Sequence, residues 1–121
     1  MRNKINKIQW GKIFIKDQQY HDILIYNNNI EERDYPKLKK LFGTSHKIGN
    51  WETEKLFQGN PEVIIIGKGF FGAVEISDRF KAKTKEIKIE LLILTSKRAV
   101  KKYNKLVKEG KKVNALIHST C

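Results

Sequence analysis

A chain of 121 residues with 40% hydrophobic content has room for one domain with its own core, and this composition excludes global disorder. Its net charge is +12, yet 21 of the 25 basic residues are lysine and only four are arginine, which argues against base readout or bidentate phosphate clamping. No apolar run reaches the ~20 residues of a membrane span, and the opening MRNKINKIQW lacks the apolar stretch of a secretion leader. The one cysteine, Cys121, forbids an internal disulfide and fits a reducing, cytoplasmic setting.

The predicted elements begin with two strands. Residues 12–16 alternate around Ile13 and Ile15, and residues 20–26 carry Ile23 and Ile25 on one face. Residues 17–19 between them are short enough for a hairpin. Asn27, Asn28 and Asn29 end the second strand, because asparagine tolerates left-handed backbone. Residues 31–42 are mixed and charged, and Pro36 excludes a long helix through them. Residues 43–49 read as loop. Asn50 is the expected cap of a short helix over 51–58, closed by Gly59.

Residues 61–72, PEVIIIGKGFFG, are the most informative stretch. Val63, Ile64, Ile65 and Ile66 read as a strand buried on both faces, running into Gly67, Gly69 and Gly72. That G-x-G-x-x-G spacing suggests a dinucleotide turn, which requires a helix opening at the third glycine. The best cap is instead Ser77, starting a helix to about Glu86, and the second buried strand expected over 87–94 ends in Thr95-Ser96-Lys97-Arg98 rather than an acidic residue. The dinucleotide reading fails on both counts. Thr95 or Ser96 caps a longer helix that packs Val100, Tyr103, Leu106 and Val107 inward and stops at Gly110; residues 113–118 form the last strand. The whole predicts one α/β domain over residues 1–121. Its mixed, mostly parallel central sheet is flanked by helices, with the N-terminal β-hairpin as a small extra layer.

Two kinds of site are open at the carboxyl ends of the buried strands. Exposed amides of the turn from Gly67 to Gly72, those of the helix start beside Thr95 and Ser96, and Lys68 could converge on an anion or carboxylate; alternatively, Phe70 and Phe71 simply cover the core. His118 reads as a hydrogen-bonded strand-end histidine, and a dyad with Cys121 would require the terminus to curl. His21, His46, His118 and Cys121 lack metal-ligand spacing, so neither metal nor cofactor is expected. Lys97, Lys101, Lys105, Lys108 and Lys112 form one helical stripe, a solvated face or a non-specific nucleic-acid surface.

In order, WGKIFIKDQQYHDILIY, GTSHKIG, PEVIIIGKGFFG, LLILTSKRAVKKYNKL and VNALIHSTC resemble a small α/β domain family of unknown function. That family contains the adipogenesis-associated domain protein and a mitochondrial complex I assembly factor. This chain resembles its stand-alone archaeal and bacterial members. The positions carrying the likeness are Gly67, Gly69, Phe70, Phe71, Gly72, Thr95, Asn104 and His118, with His46 in the central loop; Lys68 departs from it. The resemblance implies a layered fold with a small extra β layer, no catalytic residues to carry over, and a binding or assembly role toward a protein partner. A small-ligand site using Lys68, Thr95 and His118 is the alternative.

Overall fold

The computed structural model describes residues 4–121; residues 1–3, part of the segment read above for a leader, lie outside the described residues. Strands β1 (Lys7–Gln9), β2 (Lys12–Ile15) and β3 (Gln18–Tyr20) form an antiparallel sheet in that order. A second sheet holds β4 (Ile23–Tyr26), β5 (Asn29–Glu32), β6 (Val63–Gly67), β7 (Glu90–Leu94) and β8 (Val113–Ile117) in the order β5-β4-β8-β6-β7. Within it, β8-β6 and β6-β7 are parallel, while β5-β4 and β4-β8 are antiparallel. Helices α1 (Tyr35–Phe42), α2 (Asn50–Leu56), α3 (Asp78–Glu86) and α4 (Ser96–Lys108) complete the domain. The expected mixed sheet and extra β layer are present; parallel and antiparallel pairings are balanced rather than mostly parallel.

Strand alternation sorts the core into two layers. Ile23, Ile25, Val63, Ile65, Val113, Ala115 and Ile117 face the small sheet and α4, where Ile13, Ile15, Ala99, Val100 and Tyr103 meet them. Leu24, Tyr26, Ile64, Ile66 and Leu116 point the other way, onto Leu56 and Phe80. Strands β6 and β8 are buried at every position, as continuous apolar runs between two layers must be.

Several local expectations change. The run over 20–26 is two strands: β3 closes the small hairpin through a turn at Lys16 and Asp17, and β4 crosses to the other sheet. Tyr20 packs on the same core as Ile23 and Ile25, so the alternation shifts by one residue at His21 and Asp22. Asn27 and Asn28 both take positive φ, making the two-residue turn into β5. Pro36 lies in the first turn of α1, where its missing N–H costs nothing, and Asp34 caps that helix by accepting from the Lys37 amide. Gly49 rather than Asn50 occupies the cap position of α2, with Glu52 reaching back to accept from the Gly49 amide. The stripe on α4 ends at Lys108, so Lys112 falls outside the helix.

The buried strand β8 carries a polar residue, Asn114. Asn114 donates to the carbonyls of Leu56 and Gln58, both at 2.8 Å, and accepts from the Asn27 amide, tying β8 to the end of α2 and the β4–β5 turn. Asn114→Ala should cost roughly 2–4 kcal/mol, because buried main-chain acceptors lose their partner. Urea unfolding would show this as a lowered midpoint at unchanged slope.

Candidate functional site

The carboxyl ends of β6, β7 and β8 lie together, and three segments converge on them. The first is the glycine turn. Gly69 has φ +105°, and a Cβ there would fall 2.3 Å from the carbonyl carbon of Cys121, so only glycine admits the close approach of the chain's last residues. The second is that tail: the carbonyl of Thr120 accepts from the Phe70 amide at 2.7 Å, and that of Cys121 accepts from the Phe71 and Ala73 amides at 2.9 and 3.1 Å. The third is the start of α4. Ser96 Oγ accepts from the Gly69 amide and donates to the His118 carbonyl at 2.5 Å, while the Ser96 amide donates to the Gly69 carbonyl.

This geometry corrects the anion cradle. The amides of Lys68, Gly69, Phe70, Phe71 and Ala73 are all spent on protein acceptors: Leu94, Ser96, Thr120 and, twice, Cys121. Nothing in their sequence foretold that the tail would occupy them. Thr95 occupies the cap position of α4 without a side-chain cap bond, and Ser96 beside it is turned inward. Lys68 lays its aliphatic stem near Gly72. Asn104 is elsewhere: it exchanges hydrogen bonds of 2.8 Å with both the amide and the carbonyl of Ile5, fastening the N-terminal segment to α4.

Behind the tail lies a buried ionic cluster. Asp22 joins the two sheets between β3 and β4, and its carboxylate accepts from five donors. Oδ1 takes the Ser119 amide at 2.7 Å and its hydroxyl at 3.1 Å; Oδ2 takes His118 Nδ1 at 2.7 Å, Tyr35 Oη at 2.8 Å and Arg33 Nη1 at 3.1 Å. Arg33 clamps Glu52 with two parallel bonds of 2.6 and 2.9 Å and also donates to the carbonyls of Ser45 and Lys47. The side chains of Asp22, Arg33, Glu52 and His118 are wholly buried. His46 meets His118 edge to face at 5.3 Å and, through its carbonyl, holds the Glu75 amide.

Burial pushes the Asp22 carboxyl up, but the bond and charge of His118, with Arg33 and the Ser119 amide, prevail and hold it below its ordinary value. Arg33 is raised: burial opposes its charge, and the bonds and charges of Glu52 and Asp22 overcome that. Tyr35 is pushed well above the usual phenol range by burial and by Asp22.

Asp22, His118 and Thr120 share the connectivity of an acid–base relay, with Thr120 Oγ1 3.1 Å from His118 Nε2. His118 bonds Asp22 Oδ2 through Nδ1 and the Thr120 hydroxyl through Nε2. Both nitrogens are thereby spent inside the protein, and the relay fixes the tail. Cys121 enters the glycine turn through its main-chain oxygen, which accepts from the Phe71 and Ala73 amides. Sequence reading found His118, His46, Ser96 and the turn, and missed Asp22, Arg33, Tyr35, Glu52 and Trp10. An aspartate set in the apolar run YHDILIY, and a scarce arginine, were the only signals.

On the outer side of the turn the surface is aromatic. Trp10, from the β1–β2 turn, lies 5.6 Å from Phe70 and 5.8 Å from Phe71 between ring centroids, and Lys97 Nζ sits 5.6 Å from the Phe70 ring. Trp10 is 51% exposed and Phe71 81%. Gly11 anchors the tryptophan's turn by donating to the Ser119 carbonyl and accepting from His21 Nδ1.

A family described as protein of unknown function (DUF498/DUF598) matches residues 5–118. Conserved hypothetical protein PH1505 from Pyrococcus horikoshii OT3 is 31% identical, with a TM-score of 0.78 over 98% of this chain and 99% of its own. An outer membrane protein from Bartonella henselae is 18% identical, with a TM-score of 0.78 over 99% of this chain and 97% of its own. A Mth938-like domain from Bordetella pertussis is 14% identical, with a TM-score of 0.61 over 97% of this chain and 85% of its own. The last two share the fold alone. Among the described residues, no helix is long and apolar enough to cross a membrane.

The ionic cluster generates a pH expectation. Because the native Asp22 carboxyl is lowered, its contribution is fully present above the ordinary value of ~3.9 and is lost as pH falls through the lowered native value. Asp22→Asn should therefore melt well below the parent protein at pH 7, and the gap should narrow from about pH 4 downward. A gap in melting temperature that stays constant from pH 7 to pH 2 would contradict the assignment.

Proposed function

The chain belongs to the DUF498/DUF598 family of proteins of unknown function, and from that premise we propose that it is a non-enzymatic protein-binding or assembly module whose partner docks on the Trp10–Phe70–Phe71 face. The observation that carries this is Phe71, 81% exposed on a turn whose backbone is pinned at the Phe70, Phe71 and Ala73 amides. An ordered, solvent-facing aromatic gives up apolar area without losing conformational freedom on binding, which is the property of an interface anchor. Two further rings enlarge the patch, and Lys97 at its rim favours a partner that surrounds an apolar contact with carboxylates.

The buried cluster serves this reading by holding the scaffold still. Asp22 orders Ser119 and His118, the tail orders the glycine turn, and the turn presents the rings. We assign the module to the cytoplasm, where a half-buried thiol such as Cys121 stays reduced.

Trp10→Ala and Phe71→Ala should each weaken the partner complex about 30-fold, the effect of losing ~2 kcal/mol at an aromatic anchor. The measurement is quantitative cross-linking and affinity capture from the source cells, with Leu41→Ala, exposed on α1, as a folded control. Equal recovery of the same partners by all four proteins, each confirmed folded by its melting curve, would remove this surface from the proposal.

A further inference from the structure

Strand β7 ends the five-stranded sheet, and β6 is its one partner there among the described residues. The Glu90 amide donates to Glu62 and the Leu94 carbonyl accepts from Lys68, so residues 90, 92 and 94 direct their main chain toward β6 and its flanks. Alternation then leaves the N–H and C=O of Leu91 and Ile93 along the outer edge. Exposed edges are commonly blunted by lysine, proline or a bulge; the sequence of β7, ELLIL, carries none of these and pairs with β6 residue for residue.

Beside this edge runs a groove of about 370 Å³ lined by Leu92, Leu94, Arg98, Lys101, Lys102 and Lys105. Its floor is apolar. Every charged residue lining it is a cation, and all come from one face of α4. A second copy of the chain would set two such walls and two charges of +12 against each other. An acidic strand would instead neutralise the wall while filling the unpaired backbone positions.

We propose that the open edge of β7 receives an extended acidic protein segment as a sixth strand, with carboxylates at alternate positions facing the α4 cations. Strand periodicity sets the pattern: every second side chain of the added segment falls on the α4 side above Leu92 and Leu94. The intervening ones fall on the α3 side, beside Leu91 and Ile93, and are apolar. This surface is separate from the Trp10–Phe70–Phe71 face, and either can fail without the other.

The test uses the blocked peptide Glu-Val-Glu-Val-Glu-Val-Glu with isotope-labelled full-length protein, followed by NMR and amide exchange. Saturating peptide should slow exchange at Leu91 and Ile93 at least tenfold. The double variant Lys101→Glu, Lys105→Glu, altered at two exposed positions, should bind at least tenfold more weakly, and Phe71→Ala should bind as the parent does. A peptide of equal charge with the central valine replaced by proline should lose the protection. Equal binding of the proline peptide would reduce the effect to charge attraction and overturn the proposal. So would unchanged exchange at Leu91 and Ile93, β7 amides already protected in a self-associated form seen by sedimentation, or a single-stranded oligonucleotide displacing the peptide at lower concentration.

Discussion

The fold depends on one carboxylate. Asp22 sits where the chain leaves the small sheet for the large one, and it is buried among strands that offer it no water. An ionised group in that position persists only when its oxygens are saturated with donors and a cation is near. The chain supplies both from remote places: Ser119 and His118 from beyond β8, Tyr35 from α1 and Arg33 from the link between β5 and α1. Arg33 in turn is shared with Glu52 of α2 and with two carbonyls of the central loop. Five segments are thus fixed by one buried charge. Such a cluster contributes less net stability than an apolar core of equal volume would, but it permits few alternative arrangements, because any misplacement strands a charge.

The glycine turn has a different character from the one its spacing suggests. Phosphate-binding turns keep their amides free and aim a helix N-terminus at the ligand. Here the amides already hold the tail, and the next helix starts at Asp78, capped by Ser77 Oγ on the Phe80 amide. The glycines admit backbone against backbone. Main-chain carbonyls at 2.7–3.1 Å occupy the place a phosphate would take, and Phe70 and Phe71 are displayed outward as a result. A glycine-rich turn can therefore serve for display as well as for capture.

Much of the architecture was legible because it rests on local rules. The four β-branched residues before Gly67, the Ser77 cap, the Gly110 stop and the asparagine turn all depend on neighbours within a few positions, and each stands where expected. The break at His21 and Asp22 was not legible. Read without the structure, Tyr20, Leu24 and Tyr26 look like one face of a single strand, whereas Tyr20 packs with Ile23 and Ile25. Strand β1 was missed because Ile8 is its one apolar residue. The ionic cluster escaped for a related reason: Asp22, Arg33 and Glu52 look like ordinary surface residues until remote chain surrounds them. His118 could be read as a bonded strand-end histidine, but its partner, 96 positions earlier, could not.

That separation has a consequence for synthesis. Asp22 and the Ser119 amide are 97 residues apart, so on a ribosome adding roughly 5–20 residues per second the carboxylate waits several seconds for its donors. During that interval Arg33 and Tyr35 are the donors at hand for Oδ2, while Oδ1 lacks the Ser119 amide and hydroxyl that it takes in the folded chain. Closure then becomes a late event that draws the two ends together at once, giving a contact pattern typical of slower folders.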